Sequence, residues 1–210
     1  MNKIYLETLL PNTVNLVKVF QLKKPQFLNE FYLSEGTGLS LQLGHRKSED
    51  LDFFSKNSFK PNILLEKISK LGRLENVELE KGTLNIFLNK VKVQFLEYPY
   101  KLLEKPYNLK GIKISSLIDI ACTKLLTIGM RGSKKDFIDI YFLLKKYTLK
   151  KLFEKLDKKY INLNYNQVHI LKSLLYFKNA ESQPMPKMLI EIDWQKVKKT
   201  ITQKVVSFQL

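Results

Sequence analysis

The chain has 210 residues, 44% of them apolar, enough for a sizeable core in one large domain or two small ones. Cys122 is the only cysteine and His45 and His169 the only histidines, which excludes an internal disulfide and an ordinary structural zinc site. The net charge of +16 sits mostly in residues 141–210, where 14 basic residues face 5 acidic ones; no apolar run reaches membrane-spanning length, and no signal-peptide pattern opens the chain, so a cytoplasmic protein with no membrane partner is expected.

Taken in order, residues 12–29 have helical periodicity, with Leu16, Val19 and Phe20 on one face and Pro25 as an interruption. Phe31–Ser34 is expected as a strand, Thr37–Leu43 as a short helix, and Asp50–Phe54 as a second strand. Pro61–Leu71 starts with proline in its first turn and carries an apolar stripe, so it is expected as a helix. Asn76–Glu80, Thr83–Leu88 and Val91–Glu97 are expected as strands, joined by turns at Lys81-Gly82 and Asn89-Lys90. Residues 98–113, with Pro99, Pro106 and Gly111, are expected to form a connector. Helices are then expected over Ser115–Met130, Lys134–Tyr147, Leu149–Tyr160, Asn164–Phe177 and Asp193–Val206. The fold class is therefore α+β: a mixed-sheet core over residues 1–113 and a helical domain over 114–210.

Three motifs carry chemistry. Gly36 and Thr37 stand where the first short helix begins, and free backbone N–H groups there can receive an anion. Asp50 and Asp52 alternate along one strand, so both carboxylates point to one side and can hold Mg²⁺, which would grip substrate phosphates. If no metal binds, Arg46 is the local counter-charge, whereas His45 reads as a loop residue. Lys124 and Arg131 are two helical turns apart, and Asp136 and Asp139 share a face of the next helix. That arrangement has two readings: an ion-pair cluster that locks two helices, or two cations that neutralise a triphosphate with Asp136 beside them. Only Arg46, Arg73 and Arg131 are arginines among 36 basic residues, and two of them fall in these motifs.

Glu35-Gly36-Thr37, Arg46-Lys47-Ser48-Glu49-Asp50-Leu51-Asp52 and Lys124…Arg131…Lys135-Asp136-Phe137-Ile138-Asp139 together resemble the nucleotidyltransferase-like AbiEii/AbiGii toxin family. The resemblance spans residues 30–145 and implies a DNA-polymerase-β-like nucleotidyltransferase core followed by a helical domain. It also implies the toxin half of a toxin–antitoxin or phage abortive-infection system, with a cognate antitoxin as partner. On it, Asp50 and Asp52 hold Mg²⁺ or, in its place, Mn²⁺. Gly36, Thr37, Arg46, Ser48, Arg131 and Asp139 bind the NTP and its phosphates, Lys124 stabilises the leaving pyrophosphate, and Asp136 acts as general base. The acceptor is a hydroxyl, with RNA and the tRNA acceptor end foremost. Two positions depart from the family pattern: Glu35 replaces the first of two glycines, and Gln94 stands where many such enzymes have a third carboxylate. These departures support the alternative of a catalytically weakened RNA- or protein-binding module on the same scaffold.

Overall fold

The computed structural model describes residues 3–208. It contains helices α1 (Pro11–Lys23), α2 (Glu35–Leu43), α3 (Pro61–Ser69), α4 (Leu117–Arg131), α5 (Lys134–Leu144), α6 (Leu149–Lys159), α7 (Gln167–Leu174), α8 (Lys178–Glu181) and α9 (Trp194–Val206). The strands are β1 (Tyr32–Leu33), β2 (Leu51–Ser55), β3 (Leu74–Glu80), β4 (Thr83–Leu88), β5 (Val91–Glu97), β6 (Tyr107–Leu109) and β7 (Ile112–Ile114). They form one mixed sheet in the order β3-β4-β5-β2-β1-β7-β6. Strand β2 runs parallel to β5 and antiparallel to β1.

The alternation in β4 and β5 decides which way this sheet faces. Leu84, Ile86, Leu88, Val91, Val93 and Phe95 are buried against Leu16, Phe20, Leu64 and Ile68 of α1 and α3. Phe95 stacks on Phe53 with ring centroids 5.2 Å apart, and Phe20 meets Phe53 edge-on at 5.9 Å. Each such ring removes about 2–3 kcal/mol of apolar surface from water, so the register is strongly held. The opposite face of β2 and β5 is thereby left with Asp52, Lys92 and Gln94. Both hairpin turns form as expected, with positive φ at Gly82, Asn89 and Lys90.

The connector differs from expectation. Within it, β6 and β7 form a hairpin whose Ile114 pairs in parallel with Leu33 of β1. Three-residue strands carry almost no periodic signal, and β7 is held by the sheet it joins rather than by its own propensity. Past Ile114 the chain is helical. Ser116 caps α4 by accepting from the Asp119 N–H, and Ser133 caps α5 by accepting from the Asp136 N–H. These helices build a second apolar cluster around Ile120, Leu125, Phe137 and Tyr141, and Leu39 of α2 joins it. Helix α2 thus lies between the sheet and the helical half, and its N-terminus opens toward the site.

Candidate active site

A cleft of about 720 Å³ runs between the polar face of β2 and β5 and the walls made by α2, α4 and the segment at Pro186-Lys187. Its lining contains Gly36, Arg46, Ser48, Asp50, Asp52, Lys124 and Arg131, so the sheet and helix pairing bring seven expected site residues together. Thr37, Asp136 and Asp139 are buried behind the cleft wall rather than on it.

Asp50 immediately precedes β2, and Asp52 lies within it. Neither carboxylate has an ion-pair partner among the described residues. Burial pushes the Asp52 carboxyl up to about 6; the neighbouring Glu35 and then Asp50 add to that push, and Lys124 and Lys92 offset it in part. A carboxylate pair short of positive charge, on the wall of an open cleft, fits a hard divalent cation completed by water and phosphate oxygens. No third His, Cys, Asp or Glu completes a metal-binding cluster among the described residues. The register explains why: Gln94 lies directly beside Asp52, so the adjoining strand supplies an amide at that point.

Arg46 does not serve the Asp50/Asp52 pair as its counter-charge, nor does it offer its fork to a phosphate. Its Nε and Nη2 donate to the two oxygens of Asp139 at 2.7 and 2.8 Å, and Nη1 donates to the Lys47 carbonyl. His45 lies in a loop, as expected, but is fully buried there, with Nε2 2.9 Å from Asp139 Oδ1. Asp139 is accordingly an anchor for basic side chains, buried and off the cleft lining. Burial alone would raise its carboxyl; the charge of Arg46, then that of Lys124, and the hydrogen bonds from Arg46 and His45 hold it well below the usual range.

Lys124 lies at the centre of the cluster. Its ammonium is 2.9 Å from Glu35, 3.0 Å from Asp136 and 3.3 Å from Asp139. Arg131, exposed at the cleft mouth, reaches Asp136 at 3.4 Å. The ion-pair reading of this motif is therefore realised, yet Lys124 and Arg131 still line the cleft. Asp136 is poorly placed as a general base. Against the upward push of burial, Lys124, Ser133 and Arg131 lower its carboxyl below the ordinary value.

Gly36 has a steric reason. A Cβ there would lie 2.8 Å from Arg46 Nη2 and 3.4 Å from Ser48 Oγ. The guanidinium is pinned by two bonds and cannot step aside, so Gly36→Ala is expected to destabilise the fold by about 1–3 kcal/mol, read as a lower urea midpoint. Thr37 turns its hydroxyl inward, donating to the Asp50 carbonyl and lying 2.8 Å from Ser48 Oγ. It braces the loop that presents the carboxylate pair, and only its backbone N–H is left to meet a phosphate. Lys92 was legible in principle, since it is two residues before Gln94 and shares its face. Pro186 and Lys187 carried no such signal: they reach the cleft because the Lys47 N–H donates to the Lys187 carbonyl and Arg46 bridges to Met188.

Comparison with known proteins identifies the family and the fold. Residues 72–209 match the family model described as nucleotidyl transferase AbiEii toxin, type IV TA system. An uncharacterized protein of Aquifex aeolicus (strain VF5) is 40% identical over 186 residues, covering 86% of this chain and 88% of its own. Among solved structures, an H. pylori protein described as a nucleotidyltransferase superposes with a TM-score of 0.58 at 15% identity, covering 94% of each chain. The nucleotidyltransferase toxin MenT4 of Mycobacterium tuberculosis superposes with a TM-score of 0.54 at 13% identity, covering 95% of this chain and 87% of its own. These two share the fold. The chain belongs to the AbiEii family of nucleotidyltransferase toxins from type IV toxin–antitoxin systems.

Proposed function

We propose that this toxin transfers an NMP from an NTP to a hydroxyl of RNA, with tRNA foremost, using Mg²⁺ or Mn²⁺ at Asp50 and Asp52. The observation that carries the reading is the uncompensated Asp50/Asp52 pair in the same cleft as Lys124 and Arg131. When bound, the divalent cation would draw charge from the reacting phosphate and orient it. Arg131 and Lys124, both on the cleft, would receive the developing charge of the leaving pyrophosphate. The acceptor oxygen would form a bond to the α-phosphorus as the bond from that phosphorus to the oxygen bridging to the β-phosphate breaks, and the hydroxyl proton would pass to a phosphate oxygen of the substrate. Asp52, as a ligand of the cation, is not free to take that proton, and Asp136 lies buried behind the cleft wall.

In-line displacement places the acceptor opposite the leaving group, away from Lys124. On that side a second groove shares Glu49, Asp50 and Lys92 with the cleft and adds Phe87 and Lys90. An aromatic face beside two lysines suits the stacked base and phosphate of a single-stranded RNA end. Residues 1–113 would hold the cation, Lys124 and Arg131 of the helical part would meet the pyrophosphate, and the remaining basic surface of 114–210 would add RNA contacts and a surface for the antitoxin. The expected compartment is the cytoplasm, where NTPs and tRNA are at hand; no helix among the described residues is long and apolar enough to cross a membrane.

The test is transfer of label from each of four labelled NTPs to total tRNA in MgCl₂. Label on RNA with wild type and none with Asp52→Asn supports the reading. Gln94 in the third carboxylate position supports a second one, a binding module without catalysis. Under that reading no label transfers, and RNA binding survives both Asp50→Asn and Asp52→Asn.

A further inference from the structure

We propose that Glu35 sets nucleotide affinity at this site: in the nucleotide-free protein its carboxylate holds the Lys124 ammonium, and an incoming triphosphate must take its place. The inference rests on the nucleotidyltransferase reading above and names a residue that reading does not use.

The backbone supplies the first observation. Glu35 opens α2 at φ 52°, in the left-handed region, where a side chain costs roughly 1 kcal/mol or more that glycine would not. The strain persists because the side chain turns into the cleft wall and pairs with Lys124 at 2.9 Å. This places an anion at the first turn of α2, beside the backbone of Gly36, where a nucleotide phosphate would otherwise lie.

The pairing pattern supplies the second. Asp136 is shared between Lys124 and Arg131, and Asp139 between Lys124 and Arg46. Among the described residues Lys124 is the one ion-pair partner of Glu35. Glu35 is also the one of these three acids that lines the cleft. It is therefore the partner that can leave without stranding a buried cation. Three cations (Arg46, Lys124, Arg131) balance three carboxylates here, and release of Glu35 leaves a surplus of one positive charge facing the cleft. A phosphate oxygen can fill that vacancy. The displaced Glu35 remains tethered nearby as a like charge, so nucleotide binds against a standing penalty.

Binding of the four α,β-methylene nucleoside triphosphates in MgCl₂, followed by calorimetry, tests the proposal with wild type, Glu35→Gln and Glu35→Gly. Glutamine removes the charge but keeps the strained backbone, whereas glycine removes both; circular dichroism checks that each is folded. Whichever nucleotide binds wild type should bind both variants at least about tenfold more tightly, as expected when one like charge is removed from a partly buried phosphate site. A merely structural ion pair would not make its loss improve binding. If wild type binds and the variants bind equally or more weakly, the proposal is overturned, and weaker binding would mark Glu35 as a cation ligand. If neither wild type nor any variant binds any of the four, the nucleotidyltransferase reading falls and the proposal falls with it.

Discussion

Asp52→Asn is expected to abolish nucleotidyl transfer and, in the absence of divalent cation, to melt at a higher temperature than wild type. Both effects have one source. Asp52 is held near 6 because its charge is buried beside Glu35 and Asp50. A carboxyl raised above its unfolded value penalises the folded state once it ionises. The penalty is absent below about pH 4, grows between about pH 4 and 6, and is full at pH 7. Asparagine keeps the shape and removes the charge, so at pH 7 it should gain on the order of 2 kcal/mol. For a chain of this size that corresponds to about 4–8 °C in Tm. Activity should fall by on the order of a thousandfold or more, since the variant loses the charge that holds the cation. Differential scanning fluorimetry with and without MgCl₂ separates the two: Mg²⁺ should raise the Tm of wild type and leave Asp52→Asn unmoved. An Asp52→Asn Tm at or below wild type in EDTA would refute the electrostatic account.

The same residues show what could be seen without a structure. Asp50 and Asp52 were legible as a pair because alternation is local; β2 begins only at Leu51, one residue after Asp50, yet both residues line the cleft. Lys124, Arg131, Asp136 and Asp139 were legible as a cluster because helical spacing and the serine caps at Ser116 and Ser133 are local too. What the sequence hid was who pairs with whom. Arg46 finds Asp139 across 93 residues, in preference to the nearer Asp50 and Asp52, and no periodicity encodes that choice. It follows from packing. The loop at residues 45–48 is clamped between the N-terminal segment, through Ser48 N–H to the Thr8 carbonyl, and the segment at 187–190, through the His45 carbonyl. That clamp turns the guanidinium inward, and Gly36 provides the space. Strands β6 and β7 were hidden for a related reason, since each takes its stability from a neighbour remote in sequence.

Asp139→Asn is expected to be the most destabilising single change in the site, because Asp139 is the hub on which three basic side chains converge. Its two oxygens receive both arms of Arg46, the His45 ring and a share of Lys124, and it has no exposure to solvent. Removing one partner of a buried ion pair costs about 3–5 kcal/mol, because the other partner stays buried and uncompensated. Here Arg46 would keep the Lys47 carbonyl and at most one amide-oxygen acceptor at position 139, with no charge partner there, while Lys124 retains Glu35 and Asp136. The loss should therefore fall mainly on Arg46 and on the loop that carries Asp50. The pH dependence has a definite sign. The folded Asp139 carboxyl is held well below its ordinary value, so it stabilises wild type fully above about pH 4 and progressively less as pH falls below that. The gap in unfolding free energy between wild type and Asp139→Asn should be constant from pH 5 to 7 and narrow below about pH 4. Urea titrations across that range measure it directly. A gap below about 1 kcal/mol at pH 7 would mean that Arg46 finds another anion, with Asp136 and then Glu35 the next acids acting on it.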